Sequence, residues 1–445
     1  MERVIAFDLA RLFLAPLFLA PRGIDRVDMA LAGHIFADES SPHLGILPTF
    51  WGLRAYRAPE VVRMLRHVQQ VWAESTPGES DTANAARFRR IVEEIRAPGA
   101  LPDRPIPPPR HLTLGRKVAR MIRELHATGM PLGKAVRDHV PQGSVYLNVG
   151  QLGLAVPMFF RWLEDRPDIT CAMMLHDVIP LEYPDLVRPG QVEHHTQMVR
   201  TAARHADCMI FTTAYARDTV NTWLAQHDRP HLPGLVRALP LSAAFAATAQ
   251  SLPELTGTRY FVVVSTVEPR KNHDLLLRVW GRLIDRLGKD APHLVIVGSR
   301  GFDADRILTV LDERPQLRAH VHEVAGLSSD ALASLMLGAT ALLSPTWVEG
   351  FGLPVFEANV LGTPTIASNI AAHREIARAD TTLLACDDDD GWERAICAAP
   401  TARPRPRPAI PHAVTEAAYC RDLLDFIIDR AAAKSARHNA VLMPG

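Results

Sequence analysis

Short, continuous apolar runs recur through the second half of the chain, separated by polar loops and amphipathic stretches. "YFVVVST" (260–266), "HLVIVG" (293–298), "HVHEVAG" (320–326), "ATALLSP" (339–345), "TPTIAS" (363–368) and "TLLAC" (382–386) each read as a buried strand. Between the first two, Leu275, Leu276, Val279, Trp280, Leu283, Ile284 and Leu287 recur at helical spacing, and Gly288 follows as a stop. Strands alternating with helices predict a doubly wound, parallel α/β sheet. The first half repeats the pattern less regularly, with strands expected at 3–9, 144–149, 169–177 and 207–213. Proline-rich runs at 98–110 and 400–411 read as surface loops. The stretch 235–255 lacks helical stripes and reads as a connector. We therefore expect two Rossmann-like units, 1–242 and 259–411, joined by a linker at 243–258. A final helix within 412–445 is expected to pack back on the first unit.

Composition narrows the class without naming a function. At 445 residues the chain is too long for one ordinary domain. Its formal net charge of +0 argues against a general nucleic-acid binder. The five cysteines form no CxxC pair, and an odd number argues against a disulfide framework, so a reducing compartment fits best. No signal-peptide pattern is visible at the start. The apolar run "ARLFLAPLFLAP" is short and broken by Arg11 and Pro16; it reads as a buried loop or helix, with membrane-surface contact as the other reading.

In open parallel sheets ligands bind beyond the carboxyl ends of the strands, so those loops carry the candidate chemistry. After the strand at 260–266 come Arg270 and Lys271, two adjacent cations just ahead of a helix that Asn272 is placed to cap. Such cations with helix N–H groups suit a diphosphate; a solvated basic turn has the same spacing. After 339–345 comes "TWVEGFGLPVFE". Gly350 and Gly352 let backbone approach a ligand, and Pro354 suits a helix start. Glu349 lies in the loop and Glu357 in the expected first turn, placed to grip two parts of one elongated ligand through its hydroxyls. Taken alone, Glu357 reads rather as a dipole-stabilising helix residue and Glu349 as a surface charge. His176 lies at the carboxyl end of the strand at 169–177 and faces the expected cleft. "DDDD" (387–390) reads as a helix cap rather than a metal site, and no zinc spacing, GxSxG elbow or P-loop occurs.

Together these loops resemble the retaining glycosyltransferases of family four, which have the two-domain GT-B fold. The resemblance rests on "EGFGLPVFE", two glutamates separated by seven residues, and on "VEPRKNHDLLL". "GIDRV" (23–27) and "MLHDVIPLEYP" (174–184) are similar to the bacterial polysaccharide-synthesis branch of that family. The resemblance implies that Arg270 and Lys271 meet the donor pyrophosphate and that Glu357 accepts from the ribose hydroxyls. Glu349 would lie by the transferred sugar, with backbone N–H groups around Gly350, Phe351, Gly352 and Leu353 meeting sugar and phosphate. His176 would touch the donor sugar, and Gly23 would lie near donor and acceptor. Two departures stand out: Ser265 occupies the place of an arginine found in some relatives, and His373, Arg374 and Glu375 replace a frequent Ser-Pro-Glu.

The implied activity is metal-independent transfer of a hexose, mannose by preference, from a nucleotide-diphosphate sugar to a saccharide hydroxyl. No cofactor is required beyond the donor. The implied acceptor is a lipid-linked saccharide, and the implied place is the cytoplasm, at the inner face of the membrane. A sugar-nucleotide epimerase of the same fold and a non-catalytic nucleotide-sugar-binding subunit remain the alternatives.

Overall fold

A computed structural model describes residues 3–14, 23–49, 52–74, 79–97, 128–130, 133–229, 232–240, 249–400 and 415–442, with single residues between these segments. It contains two sheets. The first runs β4-β3-β2-β1-β5-β6-β7-β8, and the second β11-β10-β9-β12-β13-β14. The strands of the first are β1 (Ile5–Asp8), β2 (Leu44–Thr49), β3 (Gly52–Arg57), β4 (Lys134–Ala135), β5 (Val145–Asn148), β6 (Thr170–Met174), β7 (Cys208–Phe211) and β8 (Gly234–Val236). Those of the second are β9 (Tyr260–Val264), β10 (His293–Val297), β11 (Val321–Val324), β12 (Ala341–Ser344), β13 (Thr365–Ser368) and β14 (Thr381–Leu384). Every pairing in the second sheet is parallel, whereas β2-β3 and β3-β4 in the first are antiparallel.

The main helices are α1 (Ala10–Leu14), α2 (Gly23–Ile35), α3 (Ala58–Glu74), α4 (Glu79–Arg96), α5 (Gln191–His205), α6 (Ala214–Ala225), α7 (His273–Leu287), α8 (Ala304–Glu313), α9 (Ser329–Gly338), α10 (Leu353–Leu361), α11 (Ala371–Ile376), α12 (Asp389–Ala398) and α13 (Glu416–Leu442). Both faces of each sheet are covered, so successive strand residues enter opposite cores. Ile5 and Phe7 join one core with α2 and α3, while Ala6 enters the other with Cys171, Met173 and Met209. In the second sheet, Phe261 and Val263 pack with the apolar stripe of α7, and Tyr260 and Val262 face the opposite side. Fully burying each such side chain contributes about 1.5–3 kcal/mol.

Three connections differ from the sequence reading. Residues 235–255 were expected to be pure connector, yet Gly234–Val236 adds the edge strand β8 beside β7. The hairpin β2–β3 went unpredicted, because Pro48 and Gly52 interrupt its apolar alternation. Residues 79–96 lie in the stretch assigned to the first unit, yet α4 packs on the second sheet. Its Ile91 and Ile95 are buried with Tyr260, Val295 and Val324, and Glu94 lies 3.6 Å from His322 of β11.

The closing helix α13 lies on the first sheet. Tyr419, Leu423 and Ile427 enter the core with Ile5 and Leu147. Lys434 Nζ donates to the Ile169 carbonyl at 2.8 Å and to Asp207 at 2.7 Å. In the apolar run at 10–21, α1 buries Ala10, Leu12 and Phe13; residues 15–21 lie outside the described residues. No helix among the described residues is long and apolar enough to cross a membrane.

Candidate functional site

Strand order locates the crevice before any side chain is considered. In the second sheet the chain moves from β9 outward to β10 and β11, then returns to the other side of β9 with β12. In the first it moves from β1 to β2 and returns with β5. At such reversals the loops leave in opposite directions and open a ligand crevice. The loop after β9 carries Arg270 and Lys271, and the loop after β12 carries Glu349.

These three side chains converge. Arg270 and Lys271 sit on the short turn Pro269–Lys271. Lys271 Nζ pairs with Glu349 Oε1, and Arg270 Nη1 lies 3.3 Å from Glu349 Oε2. Arg270 Nε also pairs with Glu268 at 2.8 Å. Asn272 is not the side-chain cap that the sequence suggests. It adopts φ 56° and makes no cap hydrogen bond. Its Nδ2 instead donates to the carbonyls of Pro345 at 3.1 Å and Cys386 at 2.8 Å, tying the loop after β9 to the ends of β12 and β14. The Trp347 N–H donates to the Arg270 carbonyl at 2.9 Å and completes the frame.

Burial opposes every charge in this cluster, and partners decide the outcome. Burial pushes the Glu349 carboxyl up, but Lys271 and Arg270 outweigh it and hold it down at about 2. Burial and the neighbouring Arg270 pull the Lys271 ammonium below its ordinary value. Burial works against the Arg270 charge as well, yet Glu349, Glu268 and, across the cleft, Asp177 raise its pKa. The cluster thus holds two cations against one interior carboxylate, with Glu268 at its edge. An incoming dianion would find cations already fixed in place.

The glycine loop touches the opposite sheet. A methyl group in place of the Gly350 hydrogen would come within 2.7 Å of the His176 carbonyl oxygen. Thr213 Oγ1, at the end of β7, donates to the Gly350 carbonyl at 2.8 Å. Gly352 has φ 89°, a left-handed conformation that favours glycine, and it opens α10. Phe351 is buried in the core of the first sheet, and Leu353 packs against that core. The N–H groups of Gly352 and Leu353 donate to no partner among the described residues, as expected where a helix begins.

Glu357 does not lie in the first turn of α10, as the sequence suggested, but in the second. Its Oε1 accepts from Arg26 Nη1 of α2 at 2.9 Å. His176 is buried, and its Nε2–H donates to the Val149 carbonyl at 3.1 Å. Burial lowers its pKa to about 4, so the imidazole is neutral at pH 7. Gly23 is the first residue of α2, the helix that also carries Asp25, Arg26 and Asp28. Ser265 Oγ is hydrogen-bonded to His273 Nε2 at 3.2 Å rather than free in the crevice. The carboxylate of Glu375 leaves its own sheet and accepts from the Ala214 and Tyr215 N–H groups, both at 2.8 Å, at the start of α6. In "DDDD", Asp388 caps α12 through the Gly391 N–H at 2.8 Å, and Asp389 pairs with Arg278.

The sequence reading missed Arg26 and a group of acids beneath the first-sheet side of the crevice. Asp8 accepts from Tyr146 OH at 2.7 Å, and burial pushes its pKa up to about 6. Asp28 is fully buried, neither carboxyl oxygen is hydrogen-bonded among the described residues, and burial raises its pKa well above the ordinary value. Only "GIDRV" hinted at this region, and it carries no information about what Arg26 meets.

The loops after β9 and β12 lie in a stretch with known relatives. Residues 245–401 match the family of glycosyl transferases group 1. This stretch is similar to that family. The matched segment spans β9 to β14 and contains Arg270, Lys271, Glu349 and Glu357. Among curated relatives, serotype-specific mannosyltransferase WbdA of Escherichia coli is 30% identical over 218 residues, covering 46% of this chain and 26% of WbdA. The O-antigen chain mannosyltransferase RfbU of Salmonella typhimurium is 30% identical over 231 residues, covering 50% of this chain and 58% of RfbU. The chain thus spans about a quarter of WbdA and somewhat over half of RfbU. The crystal structure of Anabaena Alr3699/HepE in complex with UDP is similar with a TM-score of 0.53 at 13% identity, over 99% of this chain and 100% of that one. The fold is GT-B.

Proposed function

We propose that the protein is a retaining glycosyltransferase that moves a hexose, mannose by preference, from a nucleotide-diphosphate sugar to a saccharide hydroxyl. The carrying observation is the convergence of Arg270, Lys271 and Glu349 at the reversal between β9 and β12, with Gly350 of the same loop against the His176 backbone. On this reading residues 259–411 hold the donor, 243–258 link, and 1–242 bind the acceptor, with α4 packed on the donor side. The acceptor is a lipid-linked saccharide of surface-polysaccharide assembly, so the enzyme works at the inner face of the membrane. The mannosyltransferase relatives support the choice of sugar and pathway class.

The donor would lie with its pyrophosphate at Arg270 and Lys271, its sugar at Glu349 and its ribose at Glu357. The acceptor hydroxyl oxygen bonds to the anomeric carbon on the face from which the phosphate oxygen departs, and the departing phosphate oxygen takes the hydroxyl proton. Two fixed cations and the opening N–H groups of α10 stabilise the charge on the leaving group, the largest contribution expected in such a site. The same groups neutralise the diphosphate, so the chemistry does not call for a metal. Neutral His176, fixed by Val149, contacts the sugar and adds no competing cation.

The test is incubation with GDP-mannose and UDP-hexoses plus a lipid-linked saccharide, with the linkage read by NMR. Transfer with retained anomeric configuration is expected. An inverted product would overturn the mechanism, and conversion of donor without acceptor would point to an epimerase.

A further inference from the structure

The contact that sequence could not supply is the one around Arg26. It lies on α2, in the first half of the chain, yet its guanidinium reaches the second sheet. Nη1 donates to Glu357 Oε1 at 2.9 Å, and Nη2 donates to Ser329 Oγ at 3.1 Å. Its guanidinium carbon stands 5.8 Å from the centre of the Phe245 ring. One side chain therefore bridges the start of α9 and the second turn of α10. The fork geometry of arginine allows this two-pronged hold, which a lysine point charge would not reproduce.

Glu357 Oε2 accepts no hydrogen bond among the described residues. The carboxylate is thus pinned through one oxygen and open at the other. We propose that Arg26 is a positioning residue for nucleotide recognition: by holding Oε1 it presents Oε2 of Glu357 to the ribose diol, and it does so from the opposite half of the chain. Donor recognition is then completed by the first half, not by the donor-binding half alone. The inference rests on the reading of Glu357 as the ribose acceptor.

The environment agrees with this role. Glu357 is buried, which pushes its carboxyl upward, and the charge and hydrogen bond of Arg26 oppose that push. Arg26 is the charged group that faces it, and Ser329 is neutral. Without Arg26, an interior carboxylate has no compensating charge, and protonation would turn an acceptor oxygen into a donor.

The test is calorimetric titration with GDP and UDP and with their 2′,3′-dideoxy analogues, on the parent, Arg26→Gln, Arg26→Lys and Glu357→Gln. Arg26→Gln is expected to weaken the preferred nucleotide roughly tenfold, the scale of a charge-assisted hydrogen bond. Its dideoxy analogue should change less than about twofold, because it offers no diol to Glu357. Arg26→Lys should recover part of the loss. Equal weakening of both ligands would show a merely structural arginine and overturn the inference. So would an unchanged Arg26→Gln beside a weakened Glu357→Gln, which leaves the ribose assignment standing. An unchanged Glu357→Gln overturns the ribose assignment itself, and the inference with it.

Discussion

The two walls of the cleft solve the problem of buried charge in opposite ways. On the second sheet, partners outweigh burial for Arg270 and Glu349, which stay ionised, while Lys271 is pulled below its ordinary value but remains paired with Glu349. On the first sheet, burial wins: Asp28 and Asp8 are raised, His176 is kept neutral, and Asp28 has no hydrogen-bond partner among the described residues. A wall of fixed, paired charge suits a ligand whose charge never changes, such as a diphosphate. A wall where burial works against charge, with raised acids and a neutral imidazole, suits uncharged hydroxyls. The contrast is what the proposed division into donor and acceptor sides predicts.

The sharpest way to break the contrast is to remove the carboxylate from the paired wall. Glu349→Ala leaves Arg270 and Lys271 buried and facing each other. Breaking a buried pair in this way should cost about 3–5 kcal/mol of stability, read by urea unfolding. Sugar transfer should fall by at least about a hundredfold, read in the mannosyl assay. A stable, active variant would show that the cluster is neither paired nor used.

Next in size is the seam that joins the halves. Ile91→Ala on α4 opens a cavity against β9, β10 and β11 and should cost about 2–5 kcal/mol. Calorimetric unfolding that stayed unchanged would mean that α4 is not held on the second sheet.

Acid should act on both walls in one window. Burial lowers the pKa of His176 to about 4 and of His273 to about 4, against 6.5 in the unfolded chain. Their contribution is complete above pH 6.5 and is lost as the pH falls towards about 4, because the unfolded chain binds protons first. The unfolding midpoint should drop across that window, and His273→Gln should flatten part of the drop. The smallest effect is expected at Glu375→Gln, which weakens an exposed cap on α6 and should cost about 1 kcal/mol in thermal unfolding.

How far the sequence could be read follows the same division. The second-sheet wall was legible because "FVVVS" and "LVIVG" are buried on both faces and their loops carry charge at fixed spacing. Glu349 and Lys271 were singled out, though not that they pair with each other. The first-sheet wall was mostly hidden. Asp8 and Asp28 look like ordinary polar residues until topology buries them. Arg26 and Glu357 lie 331 residues apart, and no local pattern encodes such a contact. The apolar stripe of α4 announces that a face is buried but not which sheet buries it. Asn272 was misread for a related reason: a capping residue type at a helix start met better acceptors in Pro345 and Cys386.

The most direct test of the central claim is calorimetric titration of GDP-mannose and UDP-hexoses into the parent protein and Lys271→Ala. The parent is expected to bind a nucleotide-diphosphate sugar, and the variant to bind it at least about tenfold more weakly, the loss of one charge-assisted contact to the diphosphate. Equal affinity in the two proteins would contradict the assignment of this cluster as the donor site.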